Sequence, residues 1–550
     1  MRKWRFYIIL CLFLVGAAII INRLVLLQVK KHDYYQALAE GQQKILETET
    51  GTRGEIFLSN GEPLAINNIG KYVFLCPREI QDKEGVATTL SAILELDKDW
   101  VLSKAKKDNL FEVIKYHLSE KEQEDLIREN LEGVYTKEEL FRYYPQKTLA
   151  SHIVGFLNID KEGQYGIEGY YDETLKGKEV VNTREKGPFG FFSSINEQSS
   201  GENLFLTIEP SIQFTAKELL EKNQEKLGFD GGQILVMDPY SGAIIALAQL
   251  PDFDPNKYSE IEDQEIFQNS AIQKIFEPGS VFKPITMAGA LNENKITPQT
   301  TYVDNGIVKI GDWEIYNYDQ RTWGEQTMTS VLERSINTGA VFVERELGHR
   351  LFLKYIEKFG FLEKTGIDLQ GEIFSENRSF LEGYEINFAN ASFGQGIDVT
   401  LIQLAKAFSI IANGGNTVTP HIVKQDISEN DINEKEQVID AETSLTLTNM
   451  LVSVVENGFG KAAQVESYYV AGKTGTAQVS WPALGIQKSG YSDKTIQTFI
   501  GFAPAYNPRF LIVVKLDDPQ TKTAEYSAIP IFKELAKYII DFWQIPPDHE

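Results

Sequence analysis

Cysteine and histidine are scarce in this chain, and their scarcity removes whole classes of chemistry. Only Cys11 and Cys76 occur among 550 residues. Cys11 lies inside an apolar run, so neither a disulfide framework nor a cysteine-based metal site can be built from the two. The six histidines, His32, His117, His152, His349, His421 and His549, show no metal-ligand spacing, and no catalytic metal or cofactor is expected. Positive charge is short as well. Lys and Arg number 54 against 78 Asp and Glu, a formal net charge of −24. No basic stripe appears, so nucleic acid is not the expected partner. The acidity reads as a solvated surface that keeps the protein soluble. Internal repeats and low-complexity tracts are absent too.

What is present starts at the N-terminus. Phe6 to Asn22 carries no charge, at the short end of the about 17–25 residues a membrane helix needs. Small residues Gly16-Ala17-Ala18 are followed by Ile19-Ile20-Ile21, not by a polar mature start, so an uncleaved anchor is expected over 6–27. Arg2, Lys3 and Arg5 place residues 1–5 in the cytoplasm and the rest outside. Polar 30–43 has helical spacing. Gly51 to Ala65 reads as strand, Asn-Gly turn, strand. Gln81 to Gly133 is charge-rich with helical periodicity, a set of solvated helices. The aromatics near 140–192 read as core. A boundary is expected near Gly201, giving regions 28–200 and 201–550. The second opens with a strand and an amphipathic helix, then a hairpin turning at Pro239-Tyr240-Ser241-Gly242.

The stretch "EPGSVFKP", Glu277 to Pro284, holds Ser280 and Lys283 just after a Pro-Gly pair. No histidine lies near in sequence to take a serine proton. On a helix starting there, Lys283 shares a face with Ser280 one turn away. Burial would lower its pKa and make a neutral amine available as base. Alone this is weak, since Ser103 to Lys106 has the same spacing. Two further motifs give it company: Ser335-Ile336-Asn337, and Lys473-Thr474-Gly475 followed by Thr476. Each has decoys, namely Ser194/Asn196, Ser375/Asn377, Ser428/Asn430 and Lys364-Thr365-Gly366. Context separates them. Lys473 sits in a β-rich run that can present it to a cleft, whereas Lys364 lies in a loop.

In this order the three motifs are those of penicillin-binding proteins and class A β-lactamases. The chain resembles a class B penicillin-binding protein, a monofunctional peptidoglycan D,D-transpeptidase, nearly end to end. "RGEIFLSNGEPLA" and "YGIEGYYDETLKG" are similar to the family's pedestal; "FGQGIDVTLIQLAKAFSIIANGG" and "TFIGFAPAYNPRFLIVVKLDDP" are similar to its transpeptidase domain.

The resemblance implies an α+β fold: a single N-terminal transmembrane helix, an elongated β-rich pedestal (dimerisation-type) domain, and a β-lactamase-like transpeptidase domain with an antiparallel sheet flanked by helices. It implies Ser280 as acylated nucleophile and Lys283 as its base or proton relay. Ser335 would pass the proton to the leaving amine, and Asn337 would hold the substrate amide. Lys473 would supply positive field, and Thr474, Gly475 and Thr476 would bind substrate. The N–H groups of Ser280 and Thr476 would form the oxyanion hole.

Stem peptides ending in D-Ala-D-Ala, β-lactams as inhibitors, and a membrane glycan polymerase of the shape, elongation, division and sporulation family are the implied partners. A septal division role is expected first, with elongation or sporulation as alternatives. A β-lactam sensor or β-lactamase, and an inactive wall-synthesis scaffold, stand as other classes. The chain departs from the family pattern at Leu58-Ser59 (commonly Asp-Arg), at Glu209 (commonly Asp) and over Tyr526 to Pro530.

Overall fold

The computed structural model describes residues 3–26, 44–177, 179–187, 190–192, 200–425 and 436–549. The expected helix over 30–43 lies outside them. The chain divides into two compact units, Met1–Gly54 with Glu173–Glu202, and Glu55–Asp172 with Asn203–Glu550.

In the first unit, a helix Lys3–Val25 covers residues 6–25 of the stretch 6–27 read as an anchor, and its side chains are described only in part. Among the described residues no helix is long and apolar enough to cross a membrane. Strand Lys44–Thr50 pairs antiparallel with Glu179–Gly187, which pairs in turn with Gly190–Phe192.

The second unit opens with the expected strand–turn–strand, Ile56–Phe57 and Pro63–Leu75. The longer strand pairs over its length with Val134–Tyr143. Alternation along it sends Val73 and Leu75 inward. There they meet Leu90, Leu94, Val101 and Leu126 from helices Lys83–Leu94, Lys98–Ala105 and Glu120–Glu129. These helices start where Asp82, Asp97 and Ser119 accept hydrogen bonds from free first-turn amides. The charge-rich segment is therefore not all solvated helix. It also holds the strand Glu112–Lys115, whose Ile114 joins the same core. Two charges are buried towards the other end of the strand pair Pro63–Leu75 and Val134–Tyr143: Arg142, opposite Asn67, donates from Nε to Glu168 Oε1 at 2.6 Å, with both side chains almost fully enclosed.

Of the aromatics expected in the core, Tyr144 and Phe156 are buried, whereas Tyr143 and Tyr170 are exposed. Two of the departures from the family pattern meet in space. The Ser59 hydroxyl donates to Glu209 Oε2 at 2.9 Å.

The central sheet has five antiparallel strands: β1 Gly231–Met237, β2 Ile244–Leu250, β3 Ala471–Ser480, β4 Tyr491–Ala503 and β5 Phe510–Asp517, in the order β2-β1-β5-β4-β3. β1 and β2 form the expected hairpin, and all seven residues of each are buried. Continuous burial follows from cover on both faces. Ile234, Val236, Ile512 and Val514 pack against Ile212 and Leu220 of helix Pro210–Leu227 and against Phe532, Leu535 and Ile539 of helix Ala528–Trp543. The architecture is the α+β fold expected for the transpeptidase part. β3 is an edge strand, so one row of its backbone groups has no partner strand.

Ser280 was expected in the first turn of an α-helix. It lies instead in a 3₁₀ turn, Gly279–Phe282, and the α-helix begins at Lys283. Proline explains the difference. Pro284 has no N–H to donate to the Ser280 carbonyl, so the Lys283 N–H takes that bond one residue earlier. The turn is seated against Gly394, whose carbonyl accepts from Gly279 N–H at 2.9 Å.

Removing one member of the buried ion pair should be costly: Glu168→Ala is expected to lower unfolding free energy by about 3–5 kcal/mol, measured by urea titration. At Gly394, φ is +81° and a Cβ would lie 2.1 Å from the Gly279 carbonyl oxygen. Gly394→Ala should therefore lower stability by about 2–4 kcal/mol, read as a fall in Tm by calorimetry.

Candidate active site

Three segments far apart in sequence converge. Lys283 Nζ lies 2.9 Å from Ser280 Oγ, 2.6 Å from the Ser335 carbonyl, 3.2 Å from Ser335 Oγ and 2.8 Å from Asn337 Oδ1. Lys473 Nζ lies 3.1 Å from Ser335 Oγ, 3.1 Å from the Thr474 carbonyl and 3.3 Å from Thr474 Oγ1. Both lysines are fully buried. Ser335 Oγ thus sits between two amines.

The electrostatics separate the two amines. Burial pushes Lys283 well below the ordinary lysine value, and the charge of Lys473 pushes it further. Burial alone brings Lys473 down to about 7. No carboxylate contacts either amine in these hydrogen bonds, so nothing repays a second buried cation. Of the two amines, Lys283 is the one driven towards the neutral form, while Lys473 keeps a proton below about pH 7. A neutral amine has two N–H groups and one lone pair. The Ser335 carbonyl and Asn337 Oδ1 can only accept, so they take the two N–H groups. The lone pair remains for the Ser280 hydroxyl hydrogen. This arrangement can activate a hydroxyl without histidine.

Local backbone puts each group in place. Ser335 has φ +56°, a left-handed conformation that turns both its carbonyl and its hydroxyl towards Lys283. Asn337 opens helix Asn337–Leu347, and its Nδ2 donates to the Tyr316 carbonyl at 2.9 Å, which fixes its amide orientation. Lys473 sits on β3 opposite Ile500 of β4, and Thr474 and Thr476 are half-buried beside it. Thr476 Oγ1 accepts from Ala524 N–H at 3.3 Å. Gly475 has a role in packing as well: a Cβ there would lie 3.0 Å from the Pro278 carbonyl oxygen and from Val281 Cγ1. Its missing side chain lets β3 lie directly against the Ser280 turn.

The decoys fall elsewhere. Ser103 is exposed on a helix, Lys364 is in a loop, and Asn377 Nδ2 bonds the Ser375 carbonyl in its own turn. Ser194/Asn196 and Ser428/Asn430 lie outside the described residues. Among the described residues no group of His, Cys, Asp and Glu is arranged to hold a metal ion.

Sequence reasoning missed one support. Buried Asp304 accepts from Asn317 Nδ2, Thr338 Oγ1 and the N–H groups of Gly306 and Trp323, all at 2.7–3.0 Å. Asn317 Oδ1 in turn accepts from Thr338 N–H at 3.1 Å, beside Asn337. Nothing in the local pattern marks Asp304 as more than a turn residue. Sequence reasoning also passed over Glu277, whose carboxyl accepts from the Tyr491 hydroxyl. Its signal was available, as the one charged residue just before the Pro-Gly-Ser turn.

The family description "Penicillin binding protein transpeptidase domain" matches residues 232–537, and "Penicillin-binding Protein dimerisation domain" matches 48–206. Stage V sporulation protein D of Bacillus subtilis is 33% identical over 493 residues, covering 85% of this chain and 74% of that one. A peptidoglycan D,D-transpeptidase FtsI homolog of Mesostigma viride is 30% identical over 585 residues, covering 99% and 96%. Penicillin binding protein 3 of Mycobacterium tuberculosis, solved with aztreonam, shares the fold at a TM-score of 0.68 and 24% identity, covering 91% of this chain and 98% of that one. With its family match spanning more than half the sequence and its three motifs gathered in one buried cluster, the chain belongs to the class B penicillin-binding proteins, the monofunctional peptidoglycan D,D-transpeptidases.

Proposed function

We propose that Ser280 attacks the penultimate D-alanine carbonyl of a stem peptide and releases the terminal D-alanine. Lys283 takes the serine proton, and Ser335 relays it to the departing amine. Asn337 holds the substrate amide. Lys473 draws the terminal carboxylate towards Thr474 and Thr476, with Gly475 keeping the strand close. The backbone N–H groups of Ser280 and Thr476 form the oxyanion hole, worth about 2.7–4 kcal/mol per donor. A neighbouring strand's amine then resolves the ester and makes the crosslink. The observation that carries this reading is the position of Lys283 Nζ, bonded to both residues of the second motif while facing Ser280 Oγ.

The biological setting is septal wall synthesis in the first reading. A sporulation role is the second, favoured by the 33% identity to stage V sporulation protein D. The organisation that fits either is a cytoplasmic tail 1–5, an anchor 6–27 in the cytoplasmic membrane, a pedestal 28–200 and a catalytic domain 201–550 on the outer face. The uncharged run Phe6 to Asn22 and the flanking basic residues support it. An enzyme that only crosslinks needs its glycan made beside it, which favours a membrane polymerase of the shape, elongation, division and sporulation family as partner.

Intact-mass measurement after penicillin treatment tests the core of the reading. The wild-type chain should gain one stable adduct, and Ser280→Ala none. Rapid turnover of penicillin would mark a β-lactamase, and a folded wild-type chain without adduct would mark an inactive scaffold. The lysines also set a pH profile. Acylation needs neutral Lys283 and cationic Lys473, so the rate should fall on acidification as Lys283 gains a proton. It should also fall as pH rises through about 7, where Lys473 loses one. Stopped-flow acylation across pH reads both limbs; a rate flat from acid to alkaline pH would remove the lysines from the reaction.

A further inference from the structure

Crosslinking has a second proton problem that the lysine pair does not solve. A primary amine with an ordinary pKa of about 10.4 arrives as an ammonium. It must lose one proton before it can attack, and a second as the C–N bond forms. The second passes through Lys283 to Ser280 Oγ as the C–O bond breaks. Lys283 has one lone pair and is then occupied, so the first proton needs another base.

Glu277 is placed for it. The segment 276–279 runs antiparallel to 394–399. Phe276 and Val399 exchange both backbone hydrogen bonds at 2.9 and 3.0 Å, and Gly279 N–H donates to the Gly394 carbonyl. Glu277 lies between those two ties, three residues before Ser280. Its two carboxyl oxygens lie 3.2 and 3.0 Å from the Tyr491 hydroxyl. Tyr491 is the first residue of β4, opposite Ser480 of β3, the strand that carries Lys473 to Thr476. It is 37% exposed, so the pair opens to solvent.

The groups facing the carboxyl are the Tyr491 phenol, the backbone N–H of Gly396 and the Asp398 carboxylate. Lys515 lies over the Phe276 ring at 5.0 Å and is held by Asp517. Among the described residues no cation pairs with Glu277. Burial first, and Asp398 after it, raise Glu277 to about 7, while the phenol and the amide pull the other way. A carboxylate of that basicity accepts a proton readily near neutral pH.

We infer that Glu277 is the base for the acceptor: it binds the incoming ammonium and takes its first proton, so that amine is chosen over water in resolving the acyl-enzyme. The step balances. R–NH3⁺ and the Glu277 carboxylate give R–NH2 and the Glu277 acid, which returns its proton to solvent before the next cycle. The inference rests on Ser280 being acylated, as proposed above.

The test uses the full chain in detergent, a D-alanyl thioester donor and Nα-acetyl-lysine amide, whose only amine is a side-chain amine. Chromatography with mass detection counts aminolysis and hydrolysis products. Both come from one acyl-enzyme, so their ratio does not depend on how fast it forms. In the wild type the ratio should rise through an inflection near pH 7, beyond the ionisation of the amine itself. In Glu277→Gln it should fall at least about tenfold, and the inflection should vanish. Tyr491→Phe removes a hydrogen bond that favours the carboxylate, so the inflection should move to higher pH. An unchanged ratio in Glu277→Gln, or an unmoved inflection in Tyr491→Phe, overturns the inference. So does a Glu277→Gln chain that no longer forms the penicillin adduct, since Glu277 would then support the nucleophile turn. A wild-type chain without adduct overturns the Ser280 reading instead.

Discussion

One uncharged amine organises this molecule. Lys283 is buried without a carboxylate to neutralise it, and the cheapest solution is to give up its proton. Every neighbour then has a definite task. Two obligate acceptors, the Ser335 carbonyl and Asn337 Oδ1, fix the amine's hydrogens, and the lone pair points where a hydroxyl can use it. Lys473 keeps the lysine beside Ser280 neutral by standing across Ser335 Oγ as the one site that holds charge. The two buried amines are therefore coupled, the charge of Lys473 helping to hold Lys283 neutral.

Holding the pair together requires backbone to approach backbone. β3 lies against the Ser280 turn because Gly475 has no Cβ, and the turn lies against 394–399 because Gly394 has none. Pro284 denies the helix one bond and so keeps Ser280 in a tighter 3₁₀ turn. Asp304 does the same work from behind the second motif. Its bonds to Asn317 and Thr338 anchor the start of the helix that Asn337 opens. None of these groups reacts, yet each removes a freedom that would let Lys283 and Ser280 drift apart.

Much of this was legible in the sequence, and the limits are physical. The hairpin of β1 and β2, the helix Pro210–Leu227 and the strand carrying Lys473 follow from local pattern, because burial on a face repeats at a fixed period. The motif set was legible because three short patterns in order outweigh their separate decoys. Asp304 was not, since its meaning lies in partners 13 and 34 residues away. Strand Glu112–Lys115 was lost inside a charge-rich stretch because only Ile114 of its four residues is buried. The departures at Ser59 and Glu209 looked like two separate losses in sequence. In space they form one hydrogen bond, which neither position announces by itself.

The proposed acyl-enzyme also gives a reason for a carboxyl on the segment that carries Ser280. In the proposed reaction, acylation and its resolution present opposite charges to the same serine. The donor brings an anion, which the field of Lys473 suits, while the acceptor brings a cation, which that field opposes. A second, acidic group set away from Lys473 lets one cleft receive both in turn. Glu277 sits on the Ser280 segment, while Tyr491 belongs to the hairpin that bears Lys473, so the hydrogen bond between them ties the two segments together. The same link limits the carboxyl's strength as a base: each hydrogen bond that steadies Glu277 also lowers its affinity for a proton. Burial beside Asp398 offsets that loss and leaves the group near neutrality.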